Sequence, residues 1–157
     1  MPRAGAASGG PEVVVVEIAN RQRRWPVDRA RIEAVARRTH AAAGGEPGGI
    51  SILLTADRVL RGLNRRFRGV DRSTDVLSFP DGSASPEGGA YLGDMAISVE
   101  TAAGQAERAG CSLAAELDRL VVHGVLHLLG YDHEVDGGEM MALQRRILRS
   151  LRRRGMR

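Results

Sequence analysis

Two histidines four residues apart inside an apolar run constrain this chain more than any other feature. The stretch reads His123-Gly-Val-Leu-His127-Leu-Leu-Gly130-Tyr-Asp132-His133, and it holds three of the four histidines in the protein. Four helical residues advance about 400°, so His123 and His127 project from nearly the same side of a helix, one turn apart. Leu120, Val121, Val122, Val125, Leu126, Leu128 and Leu129 make that helix apolar almost all round, which is the pattern of a buried helix. Gly130 then ends it, where a residue with positive φ turns the chain back and brings His133 towards the other two. A single histidine on an apolar face is ordinarily a hydrogen-bonded core residue. Three at this spacing instead predict a tripod of neutral imidazoles: a single zinc ion on His123, His127 and His133, with a fourth position left for water.

The spacing resembles that of the metzincin zinc proteases, which carry a glutamate directly after the first histidine as general base. Here that position is Gly124, which has no side chain to take a proton. The ligand frame is present and the peptidase base is absent, so other catalytic groups must be sought.

A chain of 157 residues with 43% hydrophobic residues is long and apolar enough to bury a core. With one cysteine, Cys111, it has no intramolecular disulfide and no thiolate cluster, which suits a reducing, cytoplasmic setting. The N-terminus shows no apolar signal core, and no apolar run reaches the ~18 residues that span a membrane. All 23 basic residues are arginine. Residues 1–80 carry 14 Arg against 8 acids, 81–140 carry 2 against 11, and 141–157 carry 7 against none, giving +6, −9 and +7. An acidic, metal-bearing segment between basic flanks suits a polyanionic partner, with the cation at the centre.

Residues 1–11 read as a disordered leader and 12–157 as a single domain. Strands are expected at Glu12–Ile18, Ile50–Leu54, Asp75–Phe79 and Tyr91–Val99. Between them, Asp28 caps a helix whose stripe is Ile32, Val35, Ala36, Thr39 and Ala43, stopped by Gly44-Gly45. His40 falls beside that stripe among arginines and reads as a surface residue. Thr55 is expected to cap the next helix, with Val59, Leu60, Leu63 and Phe67 inward and Arg58, Arg61, Arg65 and Arg66 outward. Residues 81–90 read as a surface loop. A helix from about Glu100 to Ala109 precedes the central one, which Ser112 caps. A last helix from about Gly138 to Arg154 turns Met140, Leu143, Ile147 and Leu151 inward. This mixture without strict alternation predicts an α+β fold: a single mixed sheet of about four strands packed against several helices, the buried central helix carrying the metal ligands.

A second stretch, Phe67-Arg68-Gly69-Val70-Asp71-Arg72-Ser73-Thr74-Asp75-Val76-Leu77-Ser78-Phe79-Pro80, gathers arginines, hydroxyls and backbone N–H groups in a loop that enters a strand. Such a loop offers a guanidinium fork to a phosphate; a turn rich in capping residues is the plain alternative.

Together, Arg68-Gly69, Thr74-Asp75-Val76-Leu77-Ser78-Phe79-Pro80, Leu92-Gly93-Asp94 and the histidine stretch resemble the YbeY family of bacterial metal-dependent endoribonucleases. The resemblance implies an α+β fold, zinc on His123, His127 and His133, and an essential Arg68 in the active cleft. It implies hydrolysis of single-stranded RNA in maturation of the 3′ end of small-subunit ribosomal RNA and in ribosome quality control, with ribosomal proteins as partners. His123 and Arg68 are then the catalytic candidates, with Asp132, Arg72 and Ser78 as supporting or substrate-binding ones. Ser73 departs from the family's pattern, where a proline often precedes the threonine. Two other readings share the tripod: a zinc peptidase with its base elsewhere, at Glu134 or Asp132, and a non-catalytic ribosome-assembly factor with structural zinc. Oligomeric state is not written in the sequence.

Overall fold

A computed structural model describes residues 14–81 and 90–155. The leader read over residues 1–11, and the loop read over 81–90 except for its two ends, lie outside the described residues. In chain order the elements are β1 (Val14–Asn20), α1 (Arg29–Ala42), β2 (Gly48–Thr55), α2 (Asp57–Arg68), β3 (Val76–Pro80), β4 (Ala90–Ser98), α3 (Val99–Ala109), α4 (Leu113–Leu128) and α5 (Glu139–Arg153). The strands form one mixed sheet in the order β1-β2-β4-β3. β1, β2 and β4 run parallel, and β3 pairs antiparallel with β4 at the edge. This is the α+β architecture expected from the sequence.

The period-2 alternation of the strands divides the core in two. Val14, Val16, Ile50, Ile52, Leu54, Met95 and Ile97 face a layer of helices. There α4 touches α1, α3 and α5 as well as β3 and β4. Val121, Val122, Val125 and Leu126 are fully buried, each contributing on the order of 1.5–3 kcal/mol by leaving water. The opposite sheet face is covered at one end by α2, over a smaller cluster of Leu60, Leu77 and Ala96. The ligand helix is thus held from several sides, which fixes its side chains before anything binds.

Most helix ends follow local chemistry. Asp28 accepts from Arg31 N, Ser98 from Thr101 N and Ser112 from Ala115 N. Three expectations are corrected. Thr55 is the buried last residue of β2, and α2 begins after Ala56 with no side-chain cap. Of the four residues expected inward on α2, Val59 and Phe67 are exposed, because the helix lies against the sheet along Leu60 and Asn64. His40 is buried, not at the surface, and its Nε2–H donates to Glu46 O at 2.7 Å. The turn after α1 folds back over this ring, so closely that a Cβ on Gly45 would stand 2.7 Å from His40 Cδ2.

Candidate metal centre and cleft

The register of α4 places His123 and His127 on one face, with ring centroids 4.9 Å apart. The helix closes with Tyr131 N bonded to Leu126 O and Gly130 N to His127 O, both at 3.0 Å. Gly130 takes φ +100°, a value that side-chain-bearing residues rarely adopt. The chain then doubles back, and the His133 ring stands 5.2 Å from that of His123 and 5.6 Å from that of His127. One potential ligand nitrogen from each ring lies within 4.8 Å of the other two. Zinc–nitrogen bonds of about 2.0–2.1 Å in a tetrahedral arrangement ask for roughly 3.4 Å between ligand atoms, a separation that small side-chain rotations reach from here. His133 is the exposed member of the three, so the group opens to solvent on its side.

The donor set suits a metal. His123 Nδ1 lies 2.8 Å from Gln144 Oε1; the amide oxygen accepts, so Nδ1 carries the proton and Nε2 presents a lone pair. Burial, and then the neighbouring His123 and His133, push the His127 pKa below the usual imidazole value, which keeps that ring neutral and able to ligate at neutral pH. Imidazole suits zinc and also other first-row divalent ions.

A cleft of about 380 Å³ opens beside the tripod, walled by Arg68, the segment Thr74–Ser78, Arg119, Leu120, Asp132 and Glu134. Arg68 is the exposed last residue of α2. The loop after it is tied down by Arg61, whose Nε donates to Asp71 Oδ1 at 2.8 Å, and by Asn64 Nδ2, which donates to Arg72 O at 2.8 Å. Ser78 Oγ donates to Gly124 O at 3.2 Å, pinning β3 to the ligand helix. Asp132 Oδ1 accepts from Glu134 N at 3.0 Å, so this carboxylate organises the turn that delivers His133. The structure therefore gathers Arg68, Ser78, Asp132 and the three histidines at one cleft. Arg72 is not among the residues lining it.

Two residues at this site were not singled out from the sequence. Arg119 lines the cleft, held by Glu116 at 2.5 Å, with Asp75 at 3.8 Å and Gln105 bridging both carboxylates. Its position was legible: Arg119, His123 and His127 follow one another at i, i+4. Gln144 is 3% exposed in an otherwise apolar stripe, and only the polar interruption one turn after Met140 marked it.

Fold and site together define an α+β frame with a cluster of three imidazoles that could hold a metal ion, facing a cleft that carries arginine. Comparison with known proteins narrows this. Residues 17–152 match the family described as Endoribonuclease YbeY. The Endoribonuclease YbeY of Geobacter metallireducens is 41% identical over 90% of this chain and 98% of its own length. That of Moorella thermoacetica is 45% identical over 83% and 93%. The Anaeromyxobacter dehalogenans relative is 54% identical, over 66% of this chain and 53% of its own length. In the solution structure of TM1509 from Thermotoga maritima the same fold recurs, with a TM-score of 0.59 over 87% of this chain and 89% of that one at 24% identity. This chain belongs to the Endoribonuclease YbeY family, a family of nucleases that hydrolyse RNA phosphodiester bonds. Among the described residues, no helix is long and apolar enough to cross a membrane.

Proposed function

We propose that this chain is a zinc-dependent, single-strand-specific endoribonuclease that acts in the cytoplasm on the 3′ end of small-subunit ribosomal RNA and in ribosome quality control, in contact with ribosomal proteins. The observation that carries the hydrolytic reading is the tripod of His123, His127 and His133 opening on the cleft that holds Arg68. A zinc ion on the three imidazoles supplies Lewis acidity and an acidified water. The guanidinium of Arg68 pairs with the scissile phosphate and stabilises the charge that gathers on its oxygens in the transition state. Arg119, paired with Glu116, adds a second guanidinium to the cleft from the ligand helix α4. Asp132 holds the turn that aims His133, and Ser78 holds β3 against α4. Hydrolysis adds water across one P–O bond, and the departing ribose oxygen leaves with a proton.

The test is cleavage of single-stranded RNA by the purified protein beside His123→Ala and Arg68→Ala, with and without a chelator. Loss of one transition-state donor costs about 10²–10³-fold in rate, so Arg68→Ala is expected to fall by that much, and His123→Ala and chelation to abolish cutting. Variants that cut as fast as wild type overturn the assignment. Chelator-sensitive digestion of casein without RNA cleavage replaces it with the peptidase reading.

A further inference from the structure

The chain contains only two phenylalanines, and the fold brings them together at its surface. Phe67 and Phe79 meet edge to face with ring centroids 5.4 Å apart, and Phe67 remains 58% exposed. The Arg66 guanidinium stands 5.2 Å from the centre of the Phe67 ring.

Its location is specific. Phe67 precedes Arg68 and Phe79 follows Ser78, and Arg68 and Ser78 both line the cleft. Side chains alternate along a strand, so Ser78 faces the histidines while Phe79 faces the other side of the same edge strand. The pair therefore stands just over the rim of β3 from the tripod. It borders a hollow of about 740 Å³ on the sheet face that α2 leaves uncovered, over Leu53 and Ala96. Leu63 and Phe67 are the residues of α2 that line it; around the rest of its surface the helix carries Arg58, Arg61, Arg65, Arg66 and Arg68 against one acid, Asp57, with Arg61 paired to Asp71 and Arg68 in the cleft. Glu17 and Asp94 also line the hollow. Their carboxylates repel phosphate, so a nucleic acid would keep its backbone along the arginines and turn a base inward.

We propose that Phe67, braced by Phe79, is a base-stacking platform for single-stranded RNA as it crosses the rim of the cleft, its phosphates following the arginines of α2. Every base has a π-face, so such a platform adds affinity without demanding a sequence. The Arg66 guanidinium lies over this ring, so a base stacks on the guanidinium plane or takes its place when that long side chain swings aside. The basic helix is complementary to a polyanion. This inference rests on the RNA reading above.

The experiment titrates the full chain with a labelled short oligouridylate, and with the same ribose-phosphate strand lacking bases. Wild type is compared with Phe67→Ala, Phe67→Leu and Phe67→Trp. Stacking predicts that Ala and Leu weaken oligouridylate binding about tenfold, that Trp restores it, and that neither Ala nor Leu changes binding of the abasic strand. The salt dependence of binding stays unchanged in Phe67→Ala, because no phosphate contact is lost. Phe67→Leu binding as tightly as wild type overturns stacking and leaves an apolar seat of the kind a protein side chain fills. Equal losses on the abasic strand overturn it too. RNA cleavage by wild type with undiminished binding by Phe67→Ala removes the platform alone, whereas a wild type that neither binds nor cuts RNA removes the reading beneath it.

Discussion

A Cβ placed on Gly124 would stand 2.3 Å from Met95 Cε and 3.2 Å from Ser78 Oγ. The position that carries the general base in zinc peptidases is therefore filled from outside, by β4 and β3 pressing on the ligand helix. A side chain there would have to turn aside the flexible thioether end of Met95 and press on Ser78 Oγ, so the absent base goes with close packing of β3 and β4 on the ligand helix. Gln144 shows the complementary case, a polar side chain that the core accepts because it is used. Replacing it with leucine keeps the volume and removes the acceptor for His123 Nδ1–H. Metal affinity is expected to fall by about 10–100-fold, read by competition against a chromophoric chelator. Gln144→Glu is expected to restore it, since a carboxylate also accepts from that nitrogen. Equal affinity in Gln144→Leu would reduce Gln144 to a packing residue. His127 sets a pH dependence. Its pKa is lowered in the fold by burial first and by its two histidine neighbours next. The unfolded chain then binds more protons than the folded one just below the ordinary imidazole pKa of about 6.5. That sign makes stability rise with pH, so the metal-free protein is expected to lose thermal stability as pH drops from about 7.5 to 5.5, and His127→Gln to flatten the curve. A slope unchanged in that variant would place its origin elsewhere.

Among the elements, α1 and α4 are joined by one polar clamp across an apolar interface. Arg31 donates from Nε to Asp118 Oδ1 at 3.1 Å and from Nη2 to Oδ2 at 2.7 Å, with side chains 18% and 7% exposed. Arg31→Met leaves a buried carboxylate without its cation. The expected cost is about 2 kcal/mol, or a Tm lower by about 4–8 °C, with partial recovery in Arg31→Met/Asp118→Asn; an unchanged Tm would show the clamp to be idle. This pair shows what a one-dimensional reading reaches and what it misses. Helix boundaries were legible because their causes are local: Ser112 caps α4 and Gly110 ends α3 at φ +72°. The inner stripe of α5 was legible because its period is that of a helix. The partners of Arg31 and His123 were not, since they lie 87 and 21 residues away. Phe67 was misplaced for the same reason. Hydrophobicity predicts burial only when a surface covers the side chain, and α2 lies on the sheet along Leu60 and Asn64, which leaves Phe67 at the edge of an open hollow. His40, in turn, was hidden by the arginines around it; a sequence neighbourhood says nothing of a loop that returns over the ring.

On the scale of the molecule, the charge pattern along the chain changes meaning once folded. The segment 81–140 sums to −9, yet many of its carboxylates are engaged. Asp118 pairs with Arg31 and Glu116 with Arg119; Asp136 accepts from Gly138 N and Met140 N at the start of α5. The tripod thus sits in a less acidic surrounding than its sequence context suggests, with Arg68 and Arg119 at the mouth. The two basic flanks are not equivalent either. α2 delivers Arg68 to the cleft, whereas no residue of α5 lines it, although Arg145, Arg146 and Arg149 are exposed. Binding of single-stranded RNA is expected to weaken linearly in log–log form with salt, at about −0.7 per phosphate neutralised. Arg65→Ala/Arg66→Ala should flatten that slope by about 0.7 for each contact removed, and Arg145→Ala/Arg149→Ala should leave it nearly unchanged. The opposite ranking would move the RNA track from α2 to α5, and with it the path by which the strand leaves the histidines.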